Sequence, residues 1–499
     1  MKEILSLIYM VLIIVVSILL FSCSDNITEQ PPAVDKTFNG FESFKIAEIF
    51  ANNCISSACH GGAEPVHNLS FETWSKMVKG SFGRPLSESS GGGHKLSSLL
   101  HNDGVYGGEA VIPFNAERSL LYRLIAGNIE DSSFQMPHKK EKLSEHDINT
   151  IREWINNGAK SYANEIPCSS AEDIFVCNQA GDEITVIDAE NMIVKRTIDV
   201  NFNPVGVDHP DHVVRKDGYI YVSLVSAGKV LKIDLKTYQI VGTVDGLQSP
   251  GMLVFNSDSK KLFVSKSPLA AGSLTGVYEI NPETMTLISE IILPTAGVPH
   301  GIAITPDDKL LIADLMNDRI YIYNTKLNDY DSDPIEMSPG QLNIHAPMHA
   351  YTSPDGKYLY VSCRNSNNVI VYDVNTRMET ALINVGHHPM QMAITPDGNL
   401  IYVTIFHENK IKVLRKEGTN WNIENEISHP AFSMPWGIDL TKDGKYIVVT
   451  SSNELNTYKP RYKPKGKERI SNVVFIETAT NEVVKVLDVE GYASGINAR

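Results

Sequence analysis

A proline heads a short alternating apolar run at Pro204, Pro250, Pro299, Pro347, Pro389 and Pro435, a spacing of 42 to 49 residues. Eight residues beyond each of the last five stands an aspartate in a turn: Asp258, Asp307, Asp355, Asp397 and Asp443. In Ser353-Pro354-Asp355-Gly356 and Thr395-Pro396-Asp397-Gly398, proline and glycine supply the backbone angles of a tight reversal. Two alternating strands follow each turn, such as Tyr358-Leu359-Tyr360-Val361 and Val369-Ile370-Val371-Tyr372-Asp373, and a fourth precedes the next proline. Four short strands per repeat of this length predict an all-β propeller over residues 168–499. The six prolines mark six blades, with the turn after Pro204 delayed to Asp217-Gly218 by an insert containing His209 and His212. Residues Ile174–Val200 give three strands of a seventh, whose innermost strand comes from Ala493-Ser494-Gly495-Ile496. Such a closure joins both ends of the domain and leaves no long free edge.

These repeats resemble the YVTN family, whose relatives include the propellers of nitrous oxide reductase and of the c/d-type nitrite reductases. That resemblance implies the fold and little about chemistry, because propellers are scaffolds for many functions. Residues at the prolines should ring one mouth of the central channel. His300, His345, His349, His387 and His388 collect there with Met348, Met390, Gln391 and Trp436. One reading is a metal or second haem held by His300, His349 and His388. The other is histidine capping strands at a wet rim. The three lack a common offset from their prolines, and strand alternation sends His349 to the opposite face, so the second cofactor is the less favoured reading. The segment Tyr458–Arg469 carries Lys459, Arg461, Lys463, Lys465, Lys467 and Arg469 against Glu468. It reads first as a solvated insertion and second as a dock for an acidic partner or phospholipid headgroups.

Residues 41–165 read as a small all-α domain. Ile46, Ile49 and Phe50 recur at helical spacing into Cys54. Ser144 is placed to cap a helix whose face is Ile148, Ile151, Trp154 and Ile155, ending at Gly158. Between them lies Cys54-x4-Cys59-His60. Covalent haem attachment uses Cys-x-x-Cys-His. Here Ile55-Ser56-Ser57-Ala58 lengthens the spacer by two residues, which can bulge and still present both sulfurs. Together with Val111-Ile112-Pro113, Ser119-Leu120-Leu121, Met136-Pro137 and Ile151-Arg152-Glu153-Trp154-Ile155, this stretch resembles the planctomycete-type cytochrome c domains also common in exported Bacteroidetes proteins. The resemblance implies one haem c bound through Cys54 and Cys59, with His60 and Met136 on the iron. His94, His101 and His138 are alternatives to Met136, the first two within or beside a Gly/Ser-rich insert at 81–108 that departs from the family pattern.

The first 22 residues, with Lys2 before the apolar run Ile4–Phe21, read as a secretory signal. Leu20-Phe21-Ser22-Cys23 resembles a lipobox, which implies lipidated Cys23 and a polar tether over 23–40. The alternative is a single transmembrane anchor. Export to the periplasm or to the outer membrane and cell surface follows in both cases. Cys168 and Cys177 could bridge, while Cys363 reads as a buried small hydrophobe. A net charge of −15 excludes nucleic acid as a partner.

These features lead to an expectation of an exported, lipid-anchored c-type cytochrome that passes single electrons to a redox protein partner, with the propeller as docking or partner domain. Two alternatives stand beside it: a two-cofactor oxidoreductase with a metal or second haem in the propeller, and a surface binding propeller with an accessory haem.

Overall fold

The computed structural model describes residues 35–63, 65–66, 69–82, 109–167, 172–203, 205–267, 275–331, 333–418, 420–460, 462–467 and 469–499. The leader, Cys23, most of the tether, the insert at 83–108 with His94 and His101, Cys168, Pro204, Arg461 and Glu468 lie outside them.

Seven antiparallel sheets form the propeller. The first blade pairs Ala493–Asn497 with Asp173–Asn178, so the end of the domain supplies the innermost strand beside its beginning. Val176 opposite Ile496 fixes that register. The six other innermost strands begin at Pro210, Pro250, Pro299, Pro347, Pro389 and Pro435. The second blade therefore starts at Pro210 and not Pro204, which removes the delay inferred from sequence: Asp217 follows its true proline closely. In the fourth blade two short strands, Asp329–Tyr330 and Ile335–Glu336, share the outer position.

The ladder breaks just after every one of these prolines, with register shifts at Pro210/Val213, Pro250/Leu253, Pro299/Ile302, Pro347/His349, Pro389/Met392 and Pro435/Ile438. A bulge leaves residues unpaired and re-aims their side chains. Hydroxyls on the second strand accept the freed N–H groups: Ser223 from His212 (3.2 Å), Ser265 from Met252 (2.9 Å), Ser362 from His349 (3.2 Å), Thr404 from Gln391 (3.0 Å) and Thr450 from Gly437 (2.8 Å). Three of these hydroxyls also donate to the next blade, Ser362 to the Met390 carbonyl, Thr404 to that of Trp436 and Thr450 to that of Ser494. Where the second residue after the strand start is glycine, neighbouring blades close up. A Cβ on Gly437 would stand 2.2 Å from the Ser494 carbonyl oxygen.

The helical unit packs Phe44–Asn53 against Glu145–Asn156, with Trp74–Phe82 and Leu120–Ala126 beside them. Ser43 and Ser144 cap the first and last of these helices, the latter accepting from the Asp147 N–H at 3.1 Å. Phe41, Phe50, Phe71, Met77 and Trp154 fill the core. Trp74 Nε1 ties the second helix to the Ala159 carbonyl at 2.9 Å.

The two units are joined by a polar clamp over an apolar contact. Ile112 packs into the propeller core formed by Ile174, Val489, Ala493 and Ile496. Arg118 forms ion pairs with Glu490 and, at 3.5 Å, with Glu183, and all three side chains are buried. Asn115 donates to Thr197 Oγ1 at 2.8 Å, and Arg196 lies 4.2 Å over the Phe114 ring. The basic segment at 458–469 is also part of this contact through its middle, while Lys459, Lys465, Lys467 and Arg469 remain exposed as a solvated insertion would leave them. Ile129 bridges Pro464, Lys465 N–H donates to the Asn128 carbonyl, and Lys463 pairs with Glu130 at 2.8 Å. Its backbone finds partners on the helical unit that solvent would otherwise supply.

Removing the cation from a buried ion pair leaves its carboxylates uncompensated. Arg118→Ala should therefore cost about 3–5 kcal/mol, read as a lower urea midpoint. An unchanged midpoint would show that the two units are stable independently of this contact.

Candidate functional site in the propeller channel

The bulges place chemistry at the channel mouth. Asp211, His300, Met348, Met390 and Trp436 follow their prolines directly, while His212, His349 and Gln391 come one residue later. The residue before the strand is held at positive φ in six blades: His209, Ser249, Ala346, His388, Met434 and Tyr492. Left-handed backbone is uncommon for side chains of this kind and clusters where function over-determines it. Asp211, His212, His300 and Arg364 each retain some exposure although burial dominates their electrostatics. Groups enclosed by protein and still touched by solvent are those that line an internal channel.

Three imidazoles converge below the mouth. His300 donates from Nδ1 to the Met348 carbonyl at 2.7 Å, which leaves Nε2 bare. His212 Nδ1 accepts from the Leu253 N–H at 3.3 Å, so its proton sits on Nε2. The buried Nδ1 of His349 has no partner among the described residues. Burial pushes His212 and His300 down to about 4 and His349 to about 3, opposed at His300 by the Met348 bond and helped by Arg364 at His300, by His300 at His212, and by both His212 and His300 at His349. The ladder break after Pro347 is what brings His349 to the same side as His300, against the alternation expected from sequence. His388 does not join them. It sits on the rim with His387 and His407, ring centroids 6.3 Å and 4.6 Å away, and is pushed to about 4 by burial and then by His407. His345 is also on the rim, bonded to Ser366 Oγ at 2.9 Å. Among the described residues no three His, Cys, Asp or Glu side chains are placed to hold a metal ion.

Arg364 completes the mouth, and sequence reasoning missed it. Its guanidinium forms no ion pair among the described residues, its Nε is buried without a partner, and its charge is felt by both His300 and His388. Burial lowers its pKa, and no carboxylate offsets that. Met348, Met390, Phe406 and Met434, with Trp436 against them, make an apolar wall that meets His388 through Phe406, ring centroids 5.6 Å apart. At the far end of the channel Arg499 spans three blades, donating to Asp439, the Tyr351 hydroxyl and the Ile394 carbonyl, each at 2.9 Å.

The helical unit gathers the other sequence candidates. The spacer after Cys54 folds back on itself, with His60 N–H donating to the Cys54 carbonyl at 3.3 Å and Cys59 N–H to that of Ser56 at 3.0 Å. Cys54 and Cys59 are free thiols, and burial first, then Cys59, pushes Cys54 up to about 12. His60 Nδ1 bonds the Leu69 carbonyl at 3.0 Å, leaving Nε2 bare. Met136 packs on the same apolar cluster as Cys54, Ile55 and Leu69, while His138 is exposed. Cys177 and Cys363 are buried free thiols.

Residues 294–458 match the family model described as Lactonase, 7-bladed beta-propeller. Among curated proteins, antigen Lp49 of Leptospira interrogans is 24% identical over 200 residues, 39% of this chain and 41% of that protein. The chain thus matches less than half the length of this relative. The solved periplasmic gluconolactonase of Pseudomonas aeruginosa superposes with a TM-score of 0.52 at 15% identity, covering 65% of this chain and 98% of that one. A protein of unknown function from Desulfotomaculum acetoxidans gives 0.51 at 14% identity, over 66% and 98%. These likenesses show the fold.

The comparisons overturn the expected function. A lipid-anchored c-type cytochrome passing single electrons was expected from the haem-type motif and the resemblance over residues 41–165, whereas the chain is similar to a lactonase propeller across the segment holding His300, His349, Arg364 and His388. The physical reason lies in the bulges, which concentrate unpaired polar groups in the channel and were not legible as a site.

Imidazole spectra should show His212, His300 and His349 still neutral at about pH 5, a unit or more below the ordinary value. A midpoint near 6.5 for any of them would mean an open, fully hydrated channel. On fold and comparisons together, the chain is a seven-bladed β-propeller similar to the lactonases over residues 294–458.

Proposed function

We propose that the propeller binds a small organic anion at the channel mouth and hydrolyses a sugar-acid lactone there. The observation that carries this reading is Arg364, a guanidinium without a carboxylate partner among the described residues, between His300 and His388. A desolvated cation with spare donors gains most from a carboxylate or phosphate, which its planar fork matches. Neutral imidazoles below it offer hydrogen bonds to hydroxyls without adding charge. The methionine and aromatic wall suits the carbon face of a ring. The matched lactonase segment contains the arginine and three of these histidines, which supports ring-opening hydrolysis as the reaction.

Calorimetric titration with gluconate and 6-phosphogluconate, together with pH-stat hydrolysis of δ-gluconolactone, tests this. Arg364→Gln should weaken binding about 10- to 100-fold, the worth of a charge-assisted contact. Wild-type protein that neither binds these anions nor opens the lactone would overturn the reading.

A prosthetic group on the helical unit is a separate proposal. We infer that haem c would be held by Cys54 and Cys59, with His60 and Met136 supplying ligands to its iron. What supports it is the fit: two neighbouring free thiols, a histidine whose Nδ1 bond leaves Nε2 bare for metal, and Met136 on the shared apolar cluster. Bound there, the group would supply a redox-active iron centre. The sequence also supports export with Cys23 lipidated. Protein matured in a host competent for haem attachment should show a covalent haem absorption spectrum, and colourless protein with both thiols reactive would sink the assignment.

A further inference from the structure

We propose that Asp211 is the general base of the channel, taking the proton from the water that attacks the lactone. This rests on the lactone reading above and adds the residue that reading lacks. Asp211 opens the innermost strand of the second blade, one residue after Pro210, the same repeat position that His300 and Trp436 occupy in theirs. The ladder break between Pro210 and Val213 frees it from strict alternation.

Its surroundings distinguish it from the other enclosed carboxylates near the channel and its seam. Asp439 is taken up by Arg499, Glu490 by Arg118 and Asp173 by Lys195. Asp211 has no cation among the described residues. Its Oδ1 accepts from Gln179 Nε2 at 2.8 Å, and Oδ2 has no partner among the described residues and is not sealed from solvent. Gln179 follows the strand Asp173–Asn178 of the first blade, so the carboxyl is steered by a neighbouring blade at the mouth itself. The titratable groups facing it are Cys177 on that strand and Tyr492 before the first blade's innermost strand, with His212 adjacent on its own strand. Beyond Tyr492 stand Glu454 and Arg469. Burial, opposed by the Gln179 bond, pushes the Asp211 carboxyl up to about 6. A carboxylate of that basicity is ionised at neutral pH and yet accepts a proton more readily than a solvated one.

The step balances without a further reactant. Water bonded to Oδ2 gives its proton to Asp211 as its oxygen forms a bond to the lactone carbonyl carbon. Collapse of the tetrahedral intermediate breaks the ring C–O bond. The departing alkoxide recovers the proton from Asp211, leaving a hydroxy acid and the carboxylate as it began. Arg364 on the fifth blade would hold the substrate's anionic group while Asp211 on the second addresses the ring.

The experiment uses the full chain and δ-gluconolactone, with gluconate as the binding probe. Asp211→Asn should lower kcat at least about 100-fold, the ordinary worth of a positioned base, while gluconate affinity stays within about two-fold and the unfolding midpoint is kept. The ascending limb of the wild-type pH profile should be absent from the residual activity. Gln179→Leu removes a hydrogen bond that favours the ionised carboxyl, so it should move that limb to higher pH. Wild-type kcat in Asp211→Asn, or an unmoved limb in Gln179→Leu, overturns the assignment while leaving anion binding by Arg364 in place. Failure of the wild type to open the lactone overturns both.

Discussion

A hydroxyl at the end of the second strand is the contact on which the channel depends. Ser362, Thr404 and Thr450 each accept the N–H that a bulge has released and donate to a carbonyl of the following blade. One small side chain thus satisfies a broken ladder and sets the spacing to the neighbouring sheet. Without such an acceptor, an enclosed N–H at these bulges would be orphaned, a cost of about 1–3 kcal/mol apiece. With it, the two residues after each proline are free to point inward.

What those residues are then decides the character of each junction. Glycine at Gly301, Gly437 and Gly495 lets adjacent backbones meet, since a Cβ would fall 2.8, 2.2 and 2.1 Å from the next blade's main chain. His212, Met252, His349 and Gln391 occupy the corresponding place elsewhere and fill the gap with a side chain. The channel is therefore asymmetric. Histidines gather from the second, fourth and fifth blades, and the arginine of the fifth sits between imidazoles of its two neighbours.

Much of the fold could be read from residues, and the reasons for the exceptions are physical. The prolines and the turn aspartates repeat because every blade needs the same reversal, and the partner of Ile174–Val200 could be found by counting strands. Pro204 misled because Pro210, six residues on, heads the strand instead. His349 was assigned to the wrong face because strict alternation ignores a bulge. His212 was hidden in what looked like an insert, and Arg364 follows a buried strand end without any motif. Ser223, Ser265, Ser362, Thr404 and Thr450 recur at one place in the repeat and could have revealed the bulges. The clamp could not have been foreseen, since Arg118 and Glu490 lie 372 residues apart.

That clamp straddles the seam of the ring. Ile112 and Arg118 touch Ala493, Ile496, Glu183 and Glu490, the segments that meet where the circle closes. A domain made early in synthesis must wait for the final strand before its docking surface exists. The helical unit thus lies across the joint where the circle closes, so its docking surface exists only once that joint is made.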